Sequence, residues 1–177
     1  MRSASLRPSW PPASDRAAEL MGPRIPARTA DVIGLLARLV LGVVLIWAGS
    51  VKVTRPALSA QAVRAFQILP YDFAGYVGYA LPVVEILVGL LLVVGLFTRV
   101  TALAGGLMML VFMIGIASAW ARGLSIDCGC FGGGGAVAAS ETRYLWDILR
   151  DAGLVACAGW LVVRPRTAYS VDHRLFG

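Results

Sequence analysis

Histidine occurs once and cysteine three times in this chain. That leaves too few ligands for most metal cages and too few pairs for a disulfide-stapled scaffold, so no metal site is expected. The lone His173 stands in a polar stretch near the C-terminus, where a solvated side chain is the expectation. Charge is scarce as well: Asp, Glu, Lys and Arg make up 15% of the 177 residues, against 58% apolar residues. A soluble domain of this length needs more polar surface, and a mean hydropathy of +0.76 agrees. Acidic residues are the rarer charged class, giving a net charge of +6. In a soluble protein that excess would suggest nucleic acid. Here no basic stripe with interleaved aromatics exists, and nucleic-acid binding is not expected.

What is present is a set of long uncharged runs, each near the roughly 20 residues needed to cross ~30 Å of hydrocarbon. The first runs from about Val32 to Val51 and is broken only by Arg38. The second, from about Tyr76 to Phe97, carries Pro82 and Glu85. The third, from about Val100 to Trp120, has no charge, and the fourth, from about Tyr144 to Val163, contains Asp147, Arg150 and Asp151. Glycines at 42, 49, 89, 95, 105, 106 and 115 offer small faces where helices approach closely. Between the first two spans, Pro56 can open a helix and Pro70 can close it. Leu58, Val63, Phe66 and Leu69 follow a rough helical spacing there, which predicts a short helix along the interface. The expected fold is all-α: an integral membrane four-helix bundle with a short interfacial helix between the first two spans.

Residues 1–30 hold five arginines and five prolines and no apolar stretch of signal-peptide length. They read as a disordered basic cytoplasmic tail. The four-helix domain occupies 31–164, and 165–177 form a second short cytoplasmic tail. With the N-terminus inside, nine Lys and Arg outside the spans fall on the cytoplasmic side and five on the other. That favours both termini inside the cell membrane and the loop between the last two spans outside it.

This loop carries Cys128 and Cys130 on either side of Gly129. Two cysteines so close can reach disulfide range, although the small ring is geometrically demanding. Strained or exposed disulfides are the labile ones. Gly129 lets the backbone bend without a Cβ penalty, and the four glycines after Phe131 would let the loop reach a partner. Free thiols do not normally persist on an oxidising side, so a redox pair is favoured. A static disulfide and soft-metal binding remain open, the first weakened by how little chain entropy so small a loop removes, the second by the lack of a nearby His or Met. Cys157 lies about 20 Å along the fourth helix from Tyr144, at 1.5 Å per residue, too deep to exchange with the pair.

Charges inside spans are expensive and are functional candidates by default. Asp147, Arg150 and Asp151 share one helix face, which must look into the bundle. Glu85 lies near mid-membrane on the second span, and Arg38 reaches a similar depth on the first. Two readings stand: an internal salt-bridge network that fixes helix register, or a polar pocket for a quinone-like head group or a proton route.

Taken in order, these residues resemble the MauE/DoxX group of membrane proteins, and the MauE branch most closely. Arg38-Leu39-Val40-Leu41-Gly42 with Trp47-Ala48-Gly49-Ser50-Val51-Lys52 looks like the family's opening helix. Phe66-Gln67-Ile68-Leu69-Pro70 and Leu81-Pro82-Val83-Val84-Glu85 with Gly89 match its second. Cys128-Gly129-Cys130-Phe131-Gly132 and Arg150-Asp151 complete a MauE-like pattern over roughly residues 31–164.

The resemblance implies a bilayer protein associated with redox partners: thioredoxin-like or DsbA-like proteins, or a disulfide-rich secreted enzyme subunit such as that of methylamine dehydrogenase. DoxX relatives resemble a subunit of a thiosulfate:quinone oxidoreductase, so a membrane quinone enters as an expected acceptor. Unlike DsbB-like and vitamin K epoxide reductase-like proteins, this chain offers one cysteine pair rather than two. The expected function is support of thiol–disulfide chemistry for an extracytoplasmic partner. Cys128 and Cys130 would exchange, Glu85, Arg150 and Asp151 would line the acceptor pocket, and Arg38 and Asp147 would support it. A non-enzymatic assembly factor is the alternative, and a small transporter a weaker one for lack of an inverted repeat.

Overall fold

A computed structural model of the chain describes residues 26–164. The tails expected at 1–30 and 165–177, with His173, lie outside the described residues apart from the few that open the first helix. The elements are α1 (Ala27–Val53), α2 (Pro56–Ala65), α3 (Tyr71–Val94), α4 (Thr98–Ala121), a hairpin of β1 (Ile126–Asp127) and β2 (Gly135–Ala136), a single 3-10 turn (Ala139–Glu141), and α5 (Tyr144–Val163). Helices α1, α3 and α4 are long and apolar enough to cross a membrane, with mean hydropathies of 2.3 to 2.4 over their spans. Helix α5 has comparable length but carries three charges in its first half. The first span begins earlier than its apolar run, at Ala27, because polar Arg28, Thr29 and Asp31 extend the helix before the hydrocarbon stretch.

The four long helices share one apolar core, built from Leu41 and Leu45 of α1, Leu92 of α3, Met109 of α4 and Leu154 and Leu161 of α5. The outward faces are apolar too: Trp47, Leu87, Leu107, Ile114 and Leu149 are all exposed. A soluble protein would not present so continuous an apolar surface. Lipid tails are as apolar as leucine, so helix association rests on close van der Waals packing. Small residues supply it. A methyl group added at Gly49 would press on the Pro82 carbonyl, one at Gly89 on the Gly42 carbonyl, and one at Gly106 on the Ala158 methyl. Gly95, expected on such a face, instead ends α3 as its left-handed cap.

Pro82 inside α3 has no N–H, so the carbonyl of Gly78 one turn earlier loses its helical donor. The Ser59 hydroxyl of α2 donates to that carbonyl at 2.7 Å. This bond, with Gly78 packed against the Ala60 backbone, lays α2 against the first half of α3. The other end of α2 is held by Arg122, whose guanidinium donates to the Phe66 carbonyl at 2.5 Å and the Gln67 carbonyl at 3.4 Å. Those carbonyls follow the last turn and have no helical partner. Helix α2 is thereby a fixed platform at the end of the molecule that carries the cysteines.

Candidate functional site

The cysteines sit in the seven-residue connection, Cys128 to Gly134, of the β1–β2 hairpin, in which Ile126 pairs with Ala136 and Asp127 with Gly135. The Tyr144 hydroxyl at the start of α5 accepts the Ile126 N–H at 2.8 Å and donates to the Leu124 carbonyl at 2.5 Å. It ties the base of the hairpin to the last helix. The glycine run, expected to let the loop reach outward, does the opposite. Gly129 (φ 69°) and Gly132 (φ 93°) adopt backbone that side chains disfavour. A methyl at Gly129 would lie 2.6 Å from the Ala62 methyl of α2, and one at Gly132 would overlap Val51 of α1. Glycine is required here so that the loop can fold down onto α1 and α2.

The two sulfurs face different spaces. Cys128 is half-buried and opens on a cavity of about 230 Å³, bounded by Asp127, Phe131, Glu141, Arg143, Asp147 and Arg150. Cys130 is 8% exposed and faces inward. It shares a second cavity, of only about 10 Å³, with Glu85, Asp151, Phe131 and Arg150 among others. Phe131 and Arg150 belong to both walls, with the guanidinium 4.9 Å from the ring centre and the Trp47 ring 5.2 Å away at a tilt of 50°. They form the partition between outer and inner space.

Both thiols are free, and the Cys130 N–H donates to the Cys128 sulfur at 3.4 Å. Hydrogen bonding from the Cys130 thiol holds the Cys128 thiol below the ordinary range, aided by that N–H and by Arg150 and opposed by burial and Asp147. The same interaction, together with burial and the nearness of Cys128, pushes Cys130 well above it. This asymmetry favours negative charge on the Cys128 sulfur over the Cys130 sulfur.

Beneath the pair lie three ion pairs, of which Lys52–Glu85 is buried on both sides. Arg150 meets Asp147 and Asp151, each at 2.9 Å. Lys52 of α1 reaches Glu85 of α3 at 2.5 Å, with Glu85 fully buried and Lys52 5% exposed. The Lys52 ammonium also lies 5.4 Å from the Phe112 ring centre. One oxygen of Glu85 and one of Asp151 have no hydrogen-bond partner. The expected acceptor residues therefore do meet at one place, but the space they enclose is at the threshold for a single water. A quinone ring does not fit there.

Of the residues expected at the site, Cys128, Cys130, Glu85, Asp147, Arg150 and Asp151 converge. Arg38 does not. It is buried, but lies about 21 Å along α1 from Lys52 at 1.5 Å per residue, toward the other end of the bundle. Sequence reasoning gave Lys52, at the end of the first apolar run, no place in the site, although it stands four residues after Ala48 on the buried face of α1. It also missed Phe131, for which a loop offers no periodic signal. Cys157 lies against the apolar core, away from the pair.

Neither the curated proteins nor the solved structures gave a match. A family model described as Methylamine utilisation protein MauE matches residues 30–164, the span that holds every residue of this site. The chain belongs to that family, as a multi-pass membrane protein associated with methylamine utilisation.

Proposed function

We propose that this protein is a membrane thiol–disulfide centre, with Cys128 and Cys130 as the exchanging pair and an extracytoplasmic thiol protein as its partner. In this reading all four long helices span the bilayer and the hairpin end faces the oxidising side. The observation that carries it is the asymmetric dithiol: one sulfur opening on a polar cavity with its thiolate stabilised, the other buried beside it. A static clip needs no such difference between its two sulfurs.

In the oxidised state a partner thiolate attacks one sulfur of the Cys128–Cys130 disulfide and forms a mixed disulfide. A second partner thiolate then attacks the partner's own sulfur in that bridge. The partner becomes a disulfide and the loop pair a dithiol, with two electrons and two protons transferred and no other reactant used. The buried Lys52–Glu85 pair ties α1 to α3 beneath the hairpin, and Asp147 and Asp151 hold the Arg150 guanidinium in place on α5. Arg150 also supplies positive charge to whichever sulfur leaves as thiolate.

The test uses the full chain in lipid nanodiscs, oxidised with a mild thiol oxidant and mixed with a reduced two-cysteine peptide. Two peptide thiols should disappear per oxidised chain, and none with the Cys128→Ser/Cys130→Ser variant. Wild-type protein that carries the loop disulfide but leaves the peptide reduced would overturn the reading and leave a docking role for this end of the molecule.

A further inference from the structure

Resting on that reading, we infer a fixed division of labour: Cys128 is the sulfur that meets the partner's thiol, and Cys130 is the internal sulfur that never leaves the protein. Three independent observations converge on it. The first is the placement of the pair on opposite sides of the Phe131–Arg150 partition, with Cys128 on the larger outer cavity and Cys130 on the water-sized inner one. Only the outer cavity, at about 230 Å³, admits a cysteine side chain with its flanking backbone. The second is the anchoring of the loop. Gly129 and Gly134 are seated on Ala62 and Gly132 on Val51, so Cys130 cannot turn outward unless the loop lifts off α1 and α2. The third is the ring of charge around the outer cavity, where Asp127, Glu141 and Asp147 face Arg143 and Arg150. A mixed rim of this kind suits a thiol on a slender polar carrier, an extended peptide segment or a small thiol molecule, rather than an apolar surface.

The exchange then has one direction of bond change. The incoming thiolate bonds to the Cys128 sulfur, the Cys128–Cys130 bond breaks, and its electron pair stays on Cys130 beside Arg150. In the second step the carrier's other thiolate displaces Cys128. That step is favoured because a more acidic thiol is the better leaving group.

The probe is a single-cysteine peptide activated as its thionitrobenzoate disulfide, given to each reduced single-cysteine variant in nanodiscs. Coloured thionitrobenzoate should leave on the order of tenfold faster or more from the peptide with Cys130→Ser, which keeps Cys128, than with Cys128→Ser. Equal rates, or a faster Cys128→Ser variant, would overturn the assignment. Because either variant could disturb the loop, the oxidised wild-type chain is also mixed with the reduced peptide, quenched in acid and mapped by mass spectrometry. The adduct should sit on Cys128. An adduct on Cys130 would sink this inference while leaving the exchange reading intact, whereas no adduct on either cysteine would sink both. A glutathione arm in place of the peptide separates a small-molecule thiol from a chain-borne one.

Discussion

Lys52 is the residue through which the buried charges most directly reach stability. Its ammonium and the Glu85 carboxylate are both withdrawn from solvent and lipid, 2.5 Å apart. Removing one partner of such a pair leaves an uncompensated charge and costs about 3–5 kcal/mol, whereas removing both can be nearly neutral. Glu85→Gln and Lys52→Met should each lower the thermal midpoint of the detergent-purified protein. The double variant should recover much of the loss, and Arg55→Gln on the exposed turn should change little. Additive losses in the double variant would mean that the two side chains act separately. The same residue shows where a sequence is opaque. Glu85, Arg150 and Asp151 announced themselves as charges amid apolar runs. Lys52 stands at a run's end, where a basic side chain ordinarily marks the membrane surface. Only the depth at which α1 packs on α3 assigns it inward.

At the scale of elements, three spans were legible from their length and apolarity, and the short helix between the first two from Pro56 at its start, although it ends at Ala65 and Pro70, expected to close it, opens α3 instead. The fourth run, Tyr144 to Val163, coincides with α5. The hairpin was not legible, because a run of glycines is compatible with slack chain and with tight packing alike. Contacts with Ala62 and Val51, remote in sequence, decide it. The prediction at this scale concerns Gly132. With φ at 93° and Val51 where a methyl would go, Gly132→Ala combines backbone strain with a clash, and should cost roughly 1–3 kcal/mol. It should also lift the loop, so that a small maleimide reaches Cys130 faster than in the wild type. Gly153→Ala is the matched control, since a methyl there meets nothing within 4 Å. Unchanged stability and unchanged Cys130 labelling in Gly132→Ala would show that the loop tolerates what its packing forbids.

At the scale of the whole molecule, orientation decides whether the dithiol meets oxidants or a reducing cytoplasm. The charge distribution bears on this more strongly once the fold is known. Lys52, counted among five basic residues at the hairpin end, is neutralised inside the bundle by Glu85 and no longer weighs as a surface charge. That leaves Arg55, Arg64, Arg122 and Arg143 on the hairpin side, against the nine that the sequence count assigns to the cytoplasmic side. Discounting Lys52 moves the sequence count from nine against five to nine against four, and the proposed orientation with both termini inside is what labelling tests. After mild reduction of intact cells, a membrane-impermeant maleimide should label Cys128 quickly, Cys130 slowly because of its burial, and Cys157 not at all. On a cysteine-free background, Arg99→Cys in the first turn of α4 should label only once the membrane is opened. The reverse pattern, with Arg99→Cys labelled in intact cells and Cys128 protected, would place the pair among cytoplasmic reductants. It would then act as a thiol donor, and the oxidising partner of the proposed exchange would have to be abandoned. Labelling at both positions in intact cells would mean that α4 does not cross, and would remove the four-span arrangement on which the orientation rests.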